Sequence, residues 1–379
     1  MTPLRSLGIL LSIAVLVIPG AASAISAVHS DPSVNPAVAP VVPSQASTAK
    51  LVSYASSVDR FPLSYYEYLP KGFSSTTTYP LIVYLHGIQG DSKWTRGGVT
   101  SDFMSLVTQK NSVGASLSAI VSNASSRGYL LIVLNTRTGD GFYANTTCGG
   151  PQEQDVLDAI SHEQSLRHVG HIYLLGFSMG SIGALSLAAH HPGMFSGIAM
   201  GGTNTDFYAA YAYRVYANST GQAWAKQSLS EFRSPTCGTS PTVKNATTQA
   251  LYNYLSVARL HPQALAGTPI WVAAGGADPR VPDNPSRFAY LQVNNSFVNS
   301  TCLVFYTEPK NCTTTFWSLH NATPTKYVFR FVWMALGQHT VTQFDAGDIF
   351  GFWAGSVGWG FYTANWPPTT LVSNSHPGR

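Results

Sequence analysis

The chain is 379 residues long, yet only 21 Lys and Arg and 17 Asp and Glu carry a formal charge, about a tenth of the chain where soluble proteins average roughly a quarter. Hydrophobic residues make up 45% and aromatics 12%, with 33 Gly and 23 Pro, which supplies a large core and excludes a disordered, collagen-like or coiled-coil chain. The net charge of +4 comes without any Lys/Arg run, so nucleic acid is not indicated as a partner.

At the start of the chain, Arg5 precedes an uncharged apolar stretch from Leu7 to Ile18, followed by Pro19-Gly20 and Ala22-Ser23-Ala24. This is the three-part layout of a secretory signal over residues 1–24, with cleavage expected after Ala24. About 12 apolar residues fall short of the roughly 20 that cross a bilayer, so no stable membrane span is expected in the mature chain. The expected location is extracellular, with attachment at a cell surface as the variant. Residues 25–50 are rich in Pro, Ala, Ser and Val without helical or strand period and read as a linker.

Folded sequence is expected over 51–366, with 367–379 as a tail. Short apolar runs punctuate it: Leu63 to Leu69, Leu81 to Leu85, Leu130 to Leu134, Ile172 to Leu175, Gly197 to Met200, Ile270 to Ala274 and Val328 to Met334. Runs of this length bounded by Gly, Pro or Asn fit strands buried on both faces. Gln154 to Leu166 and Ser181 to His190 read as crossover helices, and Phe344 to Trp353 as a final helix. The pattern is α/β, a mostly parallel, doubly wound sheet with helices on both faces. Two long stretches, 204–266 and 283–325, interrupt it and read as lids, binding loops or glycan-bearing decoration. The charge-free segment from Ile349 to Trp366 reads as packed C-terminal structure rather than an anchor.

The four cysteines, Cys148, Cys237, Cys302 and Cys312, contain no C-x-x-C pair, so two disulfides are expected rather than a metal or redox site. Cys302 and Cys312 could close a local loop and leave Cys148 with Cys237, although four cysteines allow three pairings. Eight N-x-S/T sequons stand at Asn123, Asn145, Asn218, Asn245, Asn294, Asn299, Asn311 and Asn321. With an export signal they point to a glycosylated surface, which would help explain how so few charges keep the protein in solution.

The chemistry is concentrated in Gly176-Phe177-Ser178-Met179-Gly180, between an apolar run and a small-residue helix. A G-x-S-x-G elbow puts a serine on a sharp strand-to-helix turn, where small flanking residues let backbones approach closely. A serine hydroxyl needs a base, and the base an orienting carboxylate, in the order Ser, Asp, His. Asp278 lies just beyond the run ending at Ala274, ahead of the competing acids Asp283, Asp345 and Asp348. His339 follows the run ending at Met334 and is preferred to His320, which lies in a sequon-bearing stretch. Two backbone N–H groups should receive the oxyanion: Met179, directly after the serine, and Ile88, with Gln89 as the second choice, in the loop His86-Gly87-Ile88-Gln89 after Leu85. His86 reads as a structural hydrogen-bonder beneath that loop. His168, His171, His190 and His191 lack the spacing of a metal site, and no metal is expected.

LIVYLHGIQGD (81–91), LIVLNTRTGDGFY (131–143), IYLLGFSMGSIGALSLAAHHPGMFSGI (172–198), TPIWVAAGGADPRVP (268–282) and GQHTVTQFDAGDIFGFWAG (337–355) together resemble the α/β-hydrolase superfamily. Within it the similarity is to the esterase D, feruloyl esterase and polyhydroxybutyrate depolymerase group. The resemblance implies hydrolysis of a small-molecule or polymer ester through a serine acyl-enzyme without a cofactor. It also admits an acyltransferase or a prolyl-oligopeptidase-like peptidase with the same triad, and a hydrolase fold serving as an inactive surface-binding module is the rival of another class. The acyl group, the alcohol and the oligomeric state are not written in these motifs. The two long stretches are unmatched, and the Tyr-rich 204–266 is the expected wall of an acyl or aromatic pocket.

Overall fold

A computed structural model describes residues 49–88, 112–137, 141–205, 207–239, 246–257, 262–275, 278–281, 329–334, 339, 344–356, 360–364 and 371–372. The elements in chain order are β1 (Ala49–Ala55), β2 (Pro62–Tyr68), β3 (Tyr79–Leu85), α1 (Ser112–Ser126), β4 (Leu130–Leu134), β5 (Asn145–Thr146), β6 (Gly150–Pro151), α2 (Gln152–Leu166), β7 (Val169–Phe177) and α3 (Met179–His190). They continue with β8 (Gly197–Gly201), α4 (Phe207–Ser219), α5 (Ala223–Arg233), α6 (Ala246–Leu255), β9 (Ile270–Gly275), β10 (Phe329–Met334), α7 (Ala346–Trp353), β11 (Gly360–Ala364) and β12 (Leu371–Val372).

Ten strands form one sheet in the order β1-β2-β4-β3-β7-β8-β9-β10-β11-β12. From β4 to β11 every neighbour is parallel, while β1, β2 and β12 join antiparallel at the two ends. The fold is that of an α/β-hydrolase. Successive side chains of a strand point to opposite faces, and both faces here are covered. In β3, Leu81, Val83 and Leu85 enter one apolar cluster with residues of α2 and α3. Ile82 and Tyr84 enter the other, with Ile120 and Ala124 of α1 and Ile349 and Phe350 of α7. That is why the inner strands read as continuous apolar runs; each such side chain taken fully out of water contributes about 1.5–3 kcal/mol.

The structure departs from the sequence expectation in several places. The stretch 204–266 carries three helices, α4 to α6, rather than loops alone. The sheet gains β1 at an edge, and it gains β12 inside the segment expected to be a tail. Cys148 and Cys237 form a disulfide with Cα atoms 5.5 Å apart, closing a loop of 89 residues between the β5–β6 turn and the end of α5. Cys302 and Cys312 lie outside the described residues, as do Asn245, Asn294, Asn299, Asn311, Asn321, all of 283–325, and the signal and linker except Ala49 and Lys50. Of the described sequons, Asn145 and Asn218 are exposed. Asn123 is half-buried on α1, its amide donating to the Ala119 carbonyl. No helix of the described residues is long and apolar enough to cross a membrane.

Candidate active site

Ser178 separates β7 from α3 and has φ 53° and ψ −113°, a conformation that an L-residue adopts only under strain. The surrounding backbone enforces it. A Cβ on Gly176 would collide with the Gly180 carbonyl, and one on Gly180 with the Leu85 carbonyl of β3. Glycine at both positions therefore lets the turn close and lets α3 pack down on the sheet. The Ser178 N–H donates to the Gly201 carbonyl at 2.9 Å. Ser181 Oγ lies 2.7 Å from the Gly176 carbonyl and 2.8 Å from that of Gly201, locking the elbow to β8.

The fold brings two distant side chains to the serine. His339 Nε2 is 2.9 Å from Ser178 Oγ, and His339 Nδ1 is 2.8 Å from Asp278 Oδ2. A carboxylate only accepts, so its partner assigns the hydrogen to Nδ1 and leaves Nε2 as the acceptor facing the serine hydroxyl. The other carboxylate oxygen, Oδ1, accepts the backbone N–H groups of Arg280 and Val281, both at 2.9 Å. The Asp278 side chain is wholly buried and that of His339 13% exposed. The arrangement is a buried acid, a positioned imidazole and a strained serine in one hydrogen-bonded chain.

The rival acids are committed elsewhere. Asp348 accepts from the buried Trp271 indole at 2.7 Å, and Asp345 caps α7 by accepting the Asp348 N–H. Asp283 and His320 lie outside the described residues.

Met179 opens α3, so its N–H has no partner within the helix. The loop after β3 passes close to the serine: a Cβ on Gly87 would lie 3.3 Å from Ser178 Cβ. Ile88 follows and packs half-buried against the core. His86 is buried beneath, with Nδ1 2.7 Å from the Gly87 carbonyl and Nε2 3.0 Å from Thr136 Oγ1.

Sequence reasoning did not single out Tyr143, whose hydroxyl donates to the His86 carbonyl at 3.3 Å. It sits next to Phe142 in two consecutive positive-φ positions, 56° and 55°, and its ring packs where a Cβ on Gly183 would come within 2.6 Å. The signal was present in the GFY of the quoted 131–143 motif. Tyr213 was missed as well. Its hydroxyl donates to the Pro279 carbonyl at 3.2 Å, and burial holds its phenol above the ordinary range, with the Asp278 charge adding and Arg214 opposing.

Three further histidines of the described residues are used locally. His171 pairs with Ser196 and His191 with Glu153, while His190 stacks on Tyr254 at 3.7 Å. Among the described residues no cluster of three His, Cys, Asp or Glu side chains is set to hold a metal. A cavity of about 450 Å³ beside the disulfide, lined by Thr236, Thr248, Leu251 and Tyr254 among others, includes none of the three aligned side chains.

The model of the Esterase family matches residues 62–301, well over half of the chain. No curated protein sequence matches. Among solved structures, puromycin hydrolase is 12% identical with a TM-score of 0.52, over 86% of this chain and 41% of that one. S-formylglutathione hydrolase from Agrobacterium tumefaciens is 14% identical with a TM-score of 0.48, over 82% of this chain and 95% of its own. Acylaminoacyl peptidase from Pyrococcus horikoshii is 15% identical with a TM-score of 0.45 over 66% of this chain, which spans 35% of that protein's length.

Proposed function

The chain belongs to the Esterase family, and from that membership we propose that it is a serine hydrolase that cleaves carboxylic esters through an acyl-enzyme. The observation that carries this reading is the unbroken hydrogen-bonded chain from Ser178 through His339 to Asp278.

In the proposed reaction His339 Nε2 takes the hydroxyl proton as Ser178 Oγ attacks the ester carbonyl. The imidazolium that forms is held by Asp278, whose own charge is kept in place by the amides of Arg280 and Val281. The oxyanion is received by the N–H groups of Met179, at the start of α3, and Ile88, in the loop after β3. His339 then returns the proton to the departing alcohol and leaves Ser178 acylated. Water repeats the sequence with the same base and releases the acid. No step calls for a cofactor.

Ser178→Ala should lower kcat for p-nitrophenyl butyrate by about 10⁴-fold or more and abolish labelling by a fluorophosphonate probe. Unchanged turnover or labelling in that variant would overturn the reading.

The signal-like residues 1–24 and the eight sequons support export and glycosylation. Protein recovered from the medium of an expressing cell is expected to begin at Ile25 by N-terminal sequencing and to lose mass on treatment with an endoglycosidase. Retention in the cell, with residues 1–24 still attached, would contradict it.

A further inference from the structure

The segment leaving β8 carries three buried polar residues, Thr203, Asn204 and Thr205, that the reaction above does not use. Gly202 lies against the imidazole: a Cβ there would be 3.2 Å from His339 Cε1 and 3.3 Å from Nδ1. Two residues on, Asn204 is 3% exposed, and its amide oxygen has no hydrogen-bond partner among the described residues. At Phe207 the chain enters α4, whose Tyr213 reaches over to the Asp278 loop through the Pro279 carbonyl. Along the chain Asn204 therefore lies between the glycine that abuts the histidine and the helix tied to the acid loop. It stands at the carboxyl end of the strand beside the elbow, where open parallel sheets receive their ligands. A buried amide oxygen without a partner costs stability, and beside a reacting centre a ligand group can supply the missing hydrogen bond.

We propose that Asn204 is a specificity residue of this site. Its amide oxygen accepts a hydrogen bond from a hydroxyl that the substrate carries close to its ester group, so hydroxylated esters are preferred to plain alkyl esters. The proposal rests on the esterase reading above. A site built to bond a substrate hydroxyl rejects the analogue without it far more strongly than an apolar pocket rejects an altered methylene, because the acceptor is then left buried and unpaired.

The test compares kcat/KM within two pairs: methyl 3-hydroxybutyrate against methyl butyrate, which places the hydroxyl on the acyl side, and glyceryl 1-butyrate against propyl butyrate, which places it on the alcohol side. The wild-type enzyme should favour the hydroxylated member of at least one pair by about 10-fold or more, and Asn204→Leu, similar in size but without the acceptor, should bring that ratio to near one. Both members are measured on the same enzyme, so the ratio cancels any general loss of activity. Should the leucine variant fail to fold, Asn204→Ala cannot overpack and is expected to shift the ratio in the same direction. An active enzyme with ratios near one, or with ratios that neither variant moves, overturns the assignment of Asn204 alone. A wild-type enzyme that turns over none of the four esters overturns the esterase reading, and this inference with it.

Discussion

Asp278 is placed so that both of its oxygens are spoken for, one by two backbone amides and the other by the imidazole. Replacing it with Asn would preserve the shape but offer His339 an N–H donor in place of a carboxylate oxygen, which favours the wrong tautomer. Asp278→Asn is accordingly expected to lower kcat by about 10³–10⁴-fold with little change in KM, read from steady-state ester hydrolysis, and to leave the thermal midpoint nearly unmoved. The three aligned side chains are separated by 161 and 61 positions, yet their places at strand ends could be read because each follows an apolar run in the order this chemistry needs. The same rule set Asp278 ahead of Asp345 and Asp348, but what occupies those two acids could not be read that way. It depends on Trp271 reaching Asp348 across the sheet and on Asp345 capping a helix, neither of which leaves a local pattern.

At the scale of elements, legibility follows burial. β3, β4, β8 and β9 are covered on both faces and stood out as unbroken apolar runs, with limits within two residues of those observed. β1 is a largely exposed edge strand held by its pairing with β2, so it had no such run. The helices α4 to α6 were missed because their buried Phe, Tyr, Ala and Leu side chains are interspersed with polar ones, Arg214, Ser228 and Thr248 being buried as well. They cohere through rings from distant segments, Phe142, Phe207, Phe232 and Tyr252, whose centroids are 4.6–5.1 Å apart in the contacts Phe142–Phe207, Phe142–Phe232, Phe207–Phe232 and Phe207–Tyr252. The Cys148–Cys237 bond ties this helical insertion to the body of the fold. Removing it in a Cys148→Ser/Cys237→Ser double variant should cost about 2–4 kcal/mol in a denaturant melt. Equal midpoints for the variant and the wild type would show that the aromatic cluster alone holds the insertion.

For the whole molecule the scarcity of charge turns into a statement about pH. Glu163 is fully buried beneath β2, accepting from the Tyr65 hydroxyl at 2.7 Å. Burial above all, with the nearby Glu67 charge adding, raises its pKa from 4.5 to about 7. Between those values the folded chain keeps a proton that the unfolded chain has lost, so stability falls as pH rises from about 4.5 to 7. Asp59 works the other way. Arg137 holds it near 2, and its contribution is present above the ordinary carboxylate range and lost as pH falls towards 2. The thermal midpoint should therefore peak in mild acid, and Glu163→Gln should flatten the decline between pH 5 and 7.5. A midpoint that rises steadily across that window would contradict the assignment. Tolerance of mild acid would fit the export proposed above.

The disulfide has a topological consequence as well. It closes a covalent ring from residue 148 to residue 237, and Ser178, the proposed nucleophile, lies inside that ring, while Asp278 and His339 come from chain beyond it. A single proteolytic nick anywhere within the ring opens it without releasing a fragment, so the serine and the two groups that activate it remain one covalent molecule. On a gel such a nicked protein runs as a single species until a thiol is added, and when the nick lies between Ser178 and Cys237 the thiol parts the fragment that carries Ser178 from the one that carries Asp278 and His339.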